Sequence, residues 1–374
     1  MRVLVLADDL LPGGIARHIA DVANALVHTD ITIFVSATPG KFLSRLDKEV
    51  PFLPLGLLTE DSFEKNLFGL LPSYFRLARL IKRERIEIIH SHKRYAHLLG
   101  TLLAKQFHIP HITSYHSDIV GKKWFTYFGD YTICCSNAVR ELVVNQYGCK
   151  QENAKTIYYG IRPFRTHTEA EKEITLKNIG ISDNKIIISS VGQFIPVKDK
   201  KSLILAVSEL RKIRNISNLI FVLLGYGDQK QYLQNLVQDL NLRENIVFLD
   251  GLFDVESLFN VSEFMMLNSI REGFGIVLLE AASLGKVHIG TNVGGIPEFI
   301  ENGKTGILVE KENPAQLAGA IHSFLEDPEK LKLMGREAKR KYETMFGFDH
   351  MIIQIVDVYR SIYLENYKQG VKIR

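Results

Sequence analysis

The chain has 374 residues, more than one hydrophobic core holds before it stops growing near roughly 250–300 residues, so two domains are expected. With 46% hydrophobic and 24% charged residues and no run of about 20 apolar residues, it reads as a folded globular protein that does not span a bilayer. The formal charge of +4 is uneven: residues 1–165 carry 21 Lys+Arg against 15 Asp+Glu, and the remainder 25 against 27. A basic first half suits an anionic partner, such as a phospholipid surface or a phosphorylated acceptor, although ordinary surface charge gives the same split. No basic-aromatic platform or reader motif occurs, so nucleic acid is not an expected partner.

In chain order, Met1-Arg2-Val3-Leu4-Val5-Leu6-Ala7 is interrupted by Asp8 and Asp9 too early for a signal peptide and reads as a first buried strand. Leu11-Pro12-Gly13-Gly14-Ile15-Ala16-Arg17-His18 follows as a glycine turn into a helix. Further β-rich runs at Ile31–Ser36, Ile86–His90, His111–Tyr115, Thr132–Cys135 and Lys155–Tyr159 alternate with amphipathic stretches, the pattern of a parallel sheet with crossover helices. Two strand ends carry polar residues, Ser91-His92 and His116-Ser117-Asp118. Basic and apolar residues adjoin in Phe75–Arg85 and in Lys122-Lys123-Trp124-Phe125, which fits an anionic membrane surface as well as a solvated amphipathic helix. The three cysteines, two of them adjacent at Cys134-Cys135, offer neither a disulfide framework nor metal spacing, and a reducing cytosol is the expected compartment.

The pattern breaks around Ile161-Arg162-Pro163-Phe164-Arg165, and a second series begins. Strands are expected at Ile186–Val191, Leu219–Leu224, Ile246–Leu249, Phe264–Leu267, Val287–Ile289 and Gly306–Val309, and a continuous helix from Asp327 to Tyr367. The expected organisation is a doubly wound α/β domain over 1–165, a second over 166–345, and a helix over 346–374 returning to the first, with ligand held where strand C-terminal ends face one crevice.

Chemistry concentrates in Glu272-Gly273-Phe274-Gly275-Ile276-Val277-Leu278-Leu279-Glu280. Glu272 lies in a glycine-bearing loop, and Glu280 about a turn and a half into an apolar helix, where an ionised carboxylate is costly unless hydrogen-bonded. Gly273 and Gly275 permit close backbone approach, and a helix starting near Ile276 offers N–H groups to phosphate oxygens. Together these describe a sugar-diphosphate site, the bland reading being a solvated loop acid and an exposed helix acid. The chain lacks Gly-x-Gly-x-x-Gly after its first strand, which argues against a dinucleotide-binding dehydrogenase.

This Glu-x7-Glu segment resembles the signature of the family 4 glycosyltransferases of the GT-B fold, and the likeness runs over nearly the whole chain. It implies two Rossmann-like domains and retaining transfer from a nucleoside diphosphate sugar, UDP-linked by preference. The acceptor would be a hydroxyl of a glycan or lipid-linked molecule, in the synthesis of bacterial surface polysaccharide or lipopolysaccharide at the inner face of the membrane. By the same likeness Glu272 holds donor-sugar hydroxyls, the Gly273–Val277 amides meet sugar and diphosphate, Glu280 holds the ribose, and His116 lies beside the reacting carbon. Ser190-Val191-Gly192-Gln193-Phe194-Ile195-Pro196-Val197-Lys198-Asp199 resembles the family's Gly-Arg-Leu…Lys-Gly segment; Lys198 is kept, Gln193 stands for the arginine and Asp199 for the glycine.

Leu223–Asp228 with Gly225, and Val247–Leu252 with Leu252, fall near base and ribose in the family, and could equally be turns. The resulting expectation is His116 and Glu272 as catalytic groups, with Gly14, Gly192, Gln193, Lys198, Gly225, Leu252, Gly273, Phe274, Gly275, Ile276, Val277 and Glu280 at the donor. Gly13, Arg17, Lys93 and Arg94 are expected at the acceptor. No Asp-x-Asp occurs, so no metal and no cofactor beyond the sugar nucleotide is expected. A GT-B epimerase or phosphorylase, or a non-catalytic nucleotide-sugar binder, shares this outline.

Overall fold

The computed structural model describes residues 1–11, 13–56, 67–117, 126–182, 184–251 and 253–368. The chain divides into two compact units, Met1–Tyr159 with Asp349–Arg374, and Gly160–Phe348. Leu252, Asp118 and the Lys122–Phe125 stretch lie outside the described residues.

The first unit is built from β1 (Arg2–Asp9), α1 (Gly14–Leu26), β2 (Thr32–Thr38), β3 (Phe52–Pro54), α2 (Leu67–Glu84), β4 (Ile88–His92), α3 (Arg94–Phe107), β5 (His111–Tyr115), β6 (Tyr131–Cys134), α4 (Asn137–Asn145) and β7 (Ala154–Thr156). Its strands pair in parallel in the order β3-β2-β1-β4-β5-β6-β7, so the order reverses between β1 and β4. β3 has no counterpart among the expected strands: three residues ending in proline carry no readable alternation, and Phe52 pairs with Val35 at the sheet edge. β4 runs two residues past its expected end, which makes His92 a buried strand residue.

The second unit contains α5 (Glu169–Asn178), β8 (Ile186–Val191), α6 (Lys200–Ile213), β9 (Leu219–Gly225), α7 (Lys230–Asp239), β10 (Ile246–Asp250), α8 (Val255–Val261), β11 (Phe264–Leu267), α9 (Ile276–Ser283), β12 (Val287–Thr291), α10 (Ile296–Phe299), β13 (Gly306–Val309), α11 (Pro314–Glu326) and α12 (Pro328–Met345). Its parallel sheet is ordered β10-β9-β8-β11-β12-β13. β9 is buried along its whole length, as expected of a parallel strand covered on both faces, which reads as a continuous apolar run. The order reverses between β8 and β11, and a ligand site in such sheets falls at the carboxyl ends of the strands beside that reversal.

The expected continuous helix from Asp327 to Tyr367 is two helices, α12 and α13 (Phe348–Lys368). Phe346 leaves helical geometry at φ −125° and ψ 20°. Its ring is buried against Phe274 and Phe299, with centroids 5.4 and 5.3 Å away, and its carbonyl accepts from Ile161 N. Ile161 also bridges to Gly347. Burial of the phenylalanine and this extended pairing outweigh two residues of helix, a glycine being among the poorest helix formers. α13 belongs to the first unit, where the Tyr359 hydroxyl meets His90 Nδ1 at 2.6 Å.

Candidate functional site

At the carboxyl end of β8 the chain turns through Gly192, whose φ of 145° is costly for any side chain. This turn is locked to the next strand: Phe194 N donates to Tyr226 O at 2.7 Å, and a Cβ on Gly225 would stand 2.1 Å from Gly192 O. Gly225 is therefore fixed by packing at the end of β9. Gln193 is exposed and its Nε2 donates to the Tyr226 hydroxyl at 3.2 Å.

Lys198 closes the 3-10 turn Pro196–Lys198 and places Nζ 2.5 Å from Glu272 Oε2. Glu272 is gripped from its other sides as well. Ser269 Oγ donates to the same carboxylate oxygen at 3.1 Å, and Glu272 O accepts from Gly295 N at 3.2 Å. A Cβ on Gly294, at φ 52°, would lie 1.8 Å from that carbonyl oxygen, so only glycine lets the two loops meet. Ile270 N donates to Val197 O at 2.8 Å and joins the acid's loop to the lysine's turn.

Gly273 and Phe274 lead to Gly275, left-handed at φ 90°, which caps α9. Phe274 is buried and packs its ring against Phe346 with centroids 5.4 Å apart, so its side chain anchors the loop. Ile276 and Val277 open the helix, in the positions whose N–H groups have no acceptor in the preceding turn. Glu280, on the same helix, is buried. The loop, the helix start and Glu272 thus lie at one end of the second sheet, next to Lys198, with Glu280 further along the same helix.

In the first unit Lys93 Nζ pairs with Asp9 Oδ2 at 2.7 Å, which joins the carboxyl ends of β1 and β4 at the strand reversal. Lys93 holds φ 70° as it enters α3, whose first residue, Arg94, is exposed. Gly13 caps α1, and open space surrounds the position of a Cβ there, so packing does not require that glycine. Arg17 Nε lies 3.5 Å from Asp21 along α1.

His116 sits in a ring network. Its Nε2 meets His92 Nδ1 at 2.8 Å, its Nδ1 meets the Tyr159 hydroxyl at 2.6 Å, and the His18 ring lies 5.5 Å away edge-on. Burial drives His116 and His92 well below the usual imidazole range, aided by the neighbouring His18 and His90, and takes His18 down to about 4. These are neutral rings, able to donate or accept but not to supply charge. His18, His90, His92, Tyr159 and Tyr359 had no sequence signal as a set, because they are gathered from one strand, β4, two helices, α1 and α13, and the segment after β7.

Another residue not signalled by sequence is Lys200, the first of α6. It is fully buried, and its Nζ donates to Ser190 Oγ at 2.6 Å. Among the described residues no group of three or more His, Cys, Asp or Glu side chains is arranged to hold a metal ion.

Two Rossmann-like sheets, the second carrying an acid–lysine pair and a glycine-capped helix at its switch point, place the chain among the doubly wound α/β proteins. A family model described as Glycosyltransferase Family 4 matches residues 12–165, and one described as Glycosyl transferases group 1 matches residues 171–341. The chain belongs to the family 4 glycosyltransferases of GT-B type. It is 28% identical to N-acetyl-alpha-D-glucosaminyl L-malate synthase of Bacillus anthracis over 308 residues, 79% of this chain and 80% of the relative. It is 23% identical to UDP-Gal:alpha-D-GlcNAc-diphosphoundecaprenol alpha-1,3-galactosyltransferase of Escherichia coli over 306 residues, 77% and 79% of the two chains. Among solved structures, Anabaena HepE in complex with UDP-glucose matches with a TM-score of 0.85 at 20% identity, over 96% of this chain and 100% of HepE. No described helix is long and apolar enough to cross a membrane.

Proposed function

We propose that this glycosyltransferase moves a hexose or N-acetylhexosamine from a UDP-sugar to a hydroxyl of a glycan or lipid-linked acceptor, with retention at the anomeric carbon and without a metal ion. The pathway would be bacterial surface polysaccharide or lipopolysaccharide synthesis. The observation that carries the reading is the Lys198–Glu272 pair beside the Gly275-capped helix. A diphosphate drawn to Lys198 and the helix N–H groups would leave Glu272 free to accept from sugar hydroxyls, so arrival of the donor exchanges an internal ion pair for two contacts to one ligand. The sugar nucleotides of the Escherichia coli galactosyltransferase and of the HepE complex, UDP-Gal and UDP-glucose, support the choice of base.

In the proposed step the acceptor oxygen attacks the anomeric carbon on the leaving group's side. The new C–O bond forms as the bond to the phosphate oxygen breaks, both electrons leave with UDP, and the hydroxyl proton passes to a phosphate oxygen. Lys198 and the Gly275–Val277 amides stabilise charge on the departing diphosphate, and preorganised dipoles of this kind are usually the largest single contribution to rate. His116, neutral in its network, would position the sugar by hydrogen bonding and Glu280 would hold the ribose. Gly13, Arg17, Lys93 and Arg94 would face the acceptor. Membrane-surface contact would use α2, where Leu71 and Phe75 are exposed beside Arg76 and Arg79.

The test is hydrolysis and transfer with a panel of nucleotide sugars, each with and without a chelator. Turnover confined to UDP-sugars and indifferent to chelator is expected; preference for another base, or loss of activity on chelation, would reject those parts of the proposal. Flotation with anionic vesicles at low and high salt checks the membrane contact, which is wrong if binding is absent at low salt.

A further inference from the structure

The second unit holds a buried lysine that the mechanism above leaves unused. Lys200 Nζ rests on one neutral acceptor, Ser190 Oγ, which hands its own proton to Met266 O at 2.9 Å. Among the described residues no carboxylate stands within ion-pair distance of Lys200, although an ammonium carries three donors and a buried one is costly without a countercharge. The charged groups facing it are Lys198, Glu272 and Asp199. Burial, reinforced by the charge on Lys198, brings its amine down to about 7. Its place is specific: a Cβ on Gly192 would lie 3.8 Å from Lys200 Nζ and 4.0 Å from Lys198 Cδ, so both lysines underlie the same turn. Gln193, the polar side chain on the outside of that turn, is neutral and engaged with Tyr226.

We propose that Lys200 is a second phosphate-binding cation of the donor site, which takes up a proton when a nucleoside diphosphate settles on the Gly192 turn and supplies the charge that Gln193 does not. The inference rests on the donor reading above. An anion arriving within a few ångströms favours the ammonium over the amine, so the empty site avoids a buried unpaired charge and the loaded site gains a cation. The balance is one proton from solvent per donor bound, with no bond made or broken. Because protonation accompanies binding, affinity must fall as pH rises above the amine's range in the empty site.

Titration calorimetry of UDP into the full chain, in buffers of different ionisation enthalpy, reads this directly. Above about pH 8 the nucleotide's own phosphate, with a second pKa near 6, is already ionised and contributes no proton. The wild type is expected to take up close to one proton per UDP, with affinity falling by up to roughly tenfold per pH unit in that range. Lys200→Met should abolish the uptake and weaken UDP at least about tenfold near pH 7, while Lys200→Arg, which does not titrate, should bind UDP with no pH dependence. UDP binding by the wild type with no proton uptake, or uptake retained in Lys200→Met, overturns the role of Lys200 and leaves the donor reading standing. Absence of binding to any nucleoside diphosphate in a panel overturns both.

Discussion

Glu272 and Lys198 form an ion pair, so removing one changes the other's electrostatics as well as the substrate contact proposed for it. Glu272→Gln keeps the volume and the Ser269 hydrogen bond but leaves Lys198 without its anion. The expected result is tighter or unchanged UDP binding together with a fall in kcat of about 100-fold or more, the usual scale for losing one preorganised polar group. Lys198→Met should behave oppositely, weakening UDP as well as slowing turnover. Calorimetry beside steady-state rates separates the two, and equal losses of affinity in both variants would show that the acid serves only to hold its loop. Glu272 stood out because it adjoins Gly273 in a polar break after an apolar strand, and Lys198 through the likeness of its segment to the family's Gly-Arg-Leu…Lys-Gly. Lys200 did not: a lysine beside another lysine at a helix start reads as solvated, and only the stacking of α6 beneath the Gly192 turn buries it. His116 stood out at a strand end, but its partners His18 and Tyr159 come from distant stretches of sequence, and pairing of that kind leaves no local pattern.

At the level of elements, α3 begins against the carboxyl group of Asp8. Ala96 N donates to Asp8 Oδ1 at 2.8 Å, yet burial outweighs this bond and the nearby Lys93 charge, and pushes the acid up to about 7. Its ordinary value is 3.8, so the folded chain keeps a proton that the unfolded chain loses. The stability tied to that proton is fully present below about pH 4 and is lost as pH rises through about 7. Asp8→Asn cannot ionise and keeps the oxygen that accepts from α3. Relative to wild type it should therefore gain on the order of a few kcal/mol between pH 5 and pH 8. Urea unfolding of both proteins across that range is the measurement, and a constant gap between them would show that Asp8 is ionised in the fold throughout. Element positions themselves were largely readable, since short buried runs such as the β-branched Ile186–Val191 and the apolar Phe264–Leu267 are bounded by turn residues. Where the reading failed, the deciding force was tertiary. Edge pairing makes β3 from three residues, and burial of Phe346 interrupts a helical pattern that is periodic on both sides.

For the whole molecule, the division of the chain is asymmetric: the second unit is one continuous stretch, Gly160–Phe348, whereas the first is completed only by Asp349–Arg374. α13 brings Met351, Ile355, Val358, Tyr359 and Ile362, all buried, and Tyr359 closes the hydrogen bond to His90. Full burial of such side chains is worth roughly 1.5–3 kcal/mol each. Their sum is comparable to the whole stability of a typical domain, about 5–15 kcal/mol. A fragment of residues 1–159 should therefore fail to unfold cooperatively, and regain a cooperative transition when residues 349–374 are appended through a flexible linker. A fragment of residues 160–348 holds all six strands of its sheet along with Gly192, Lys198, Lys200, Glu272 and Glu280. It should fold by itself and bind UDP without transferring sugar. Circular dichroism melts and calorimetry on the three fragments decide the matter. A sharp melt from residues 1–159 alone would mean that α13 is an appendage, and UDP binding lost from residues 160–348 would mean that the nucleotide needs groups from the first unit.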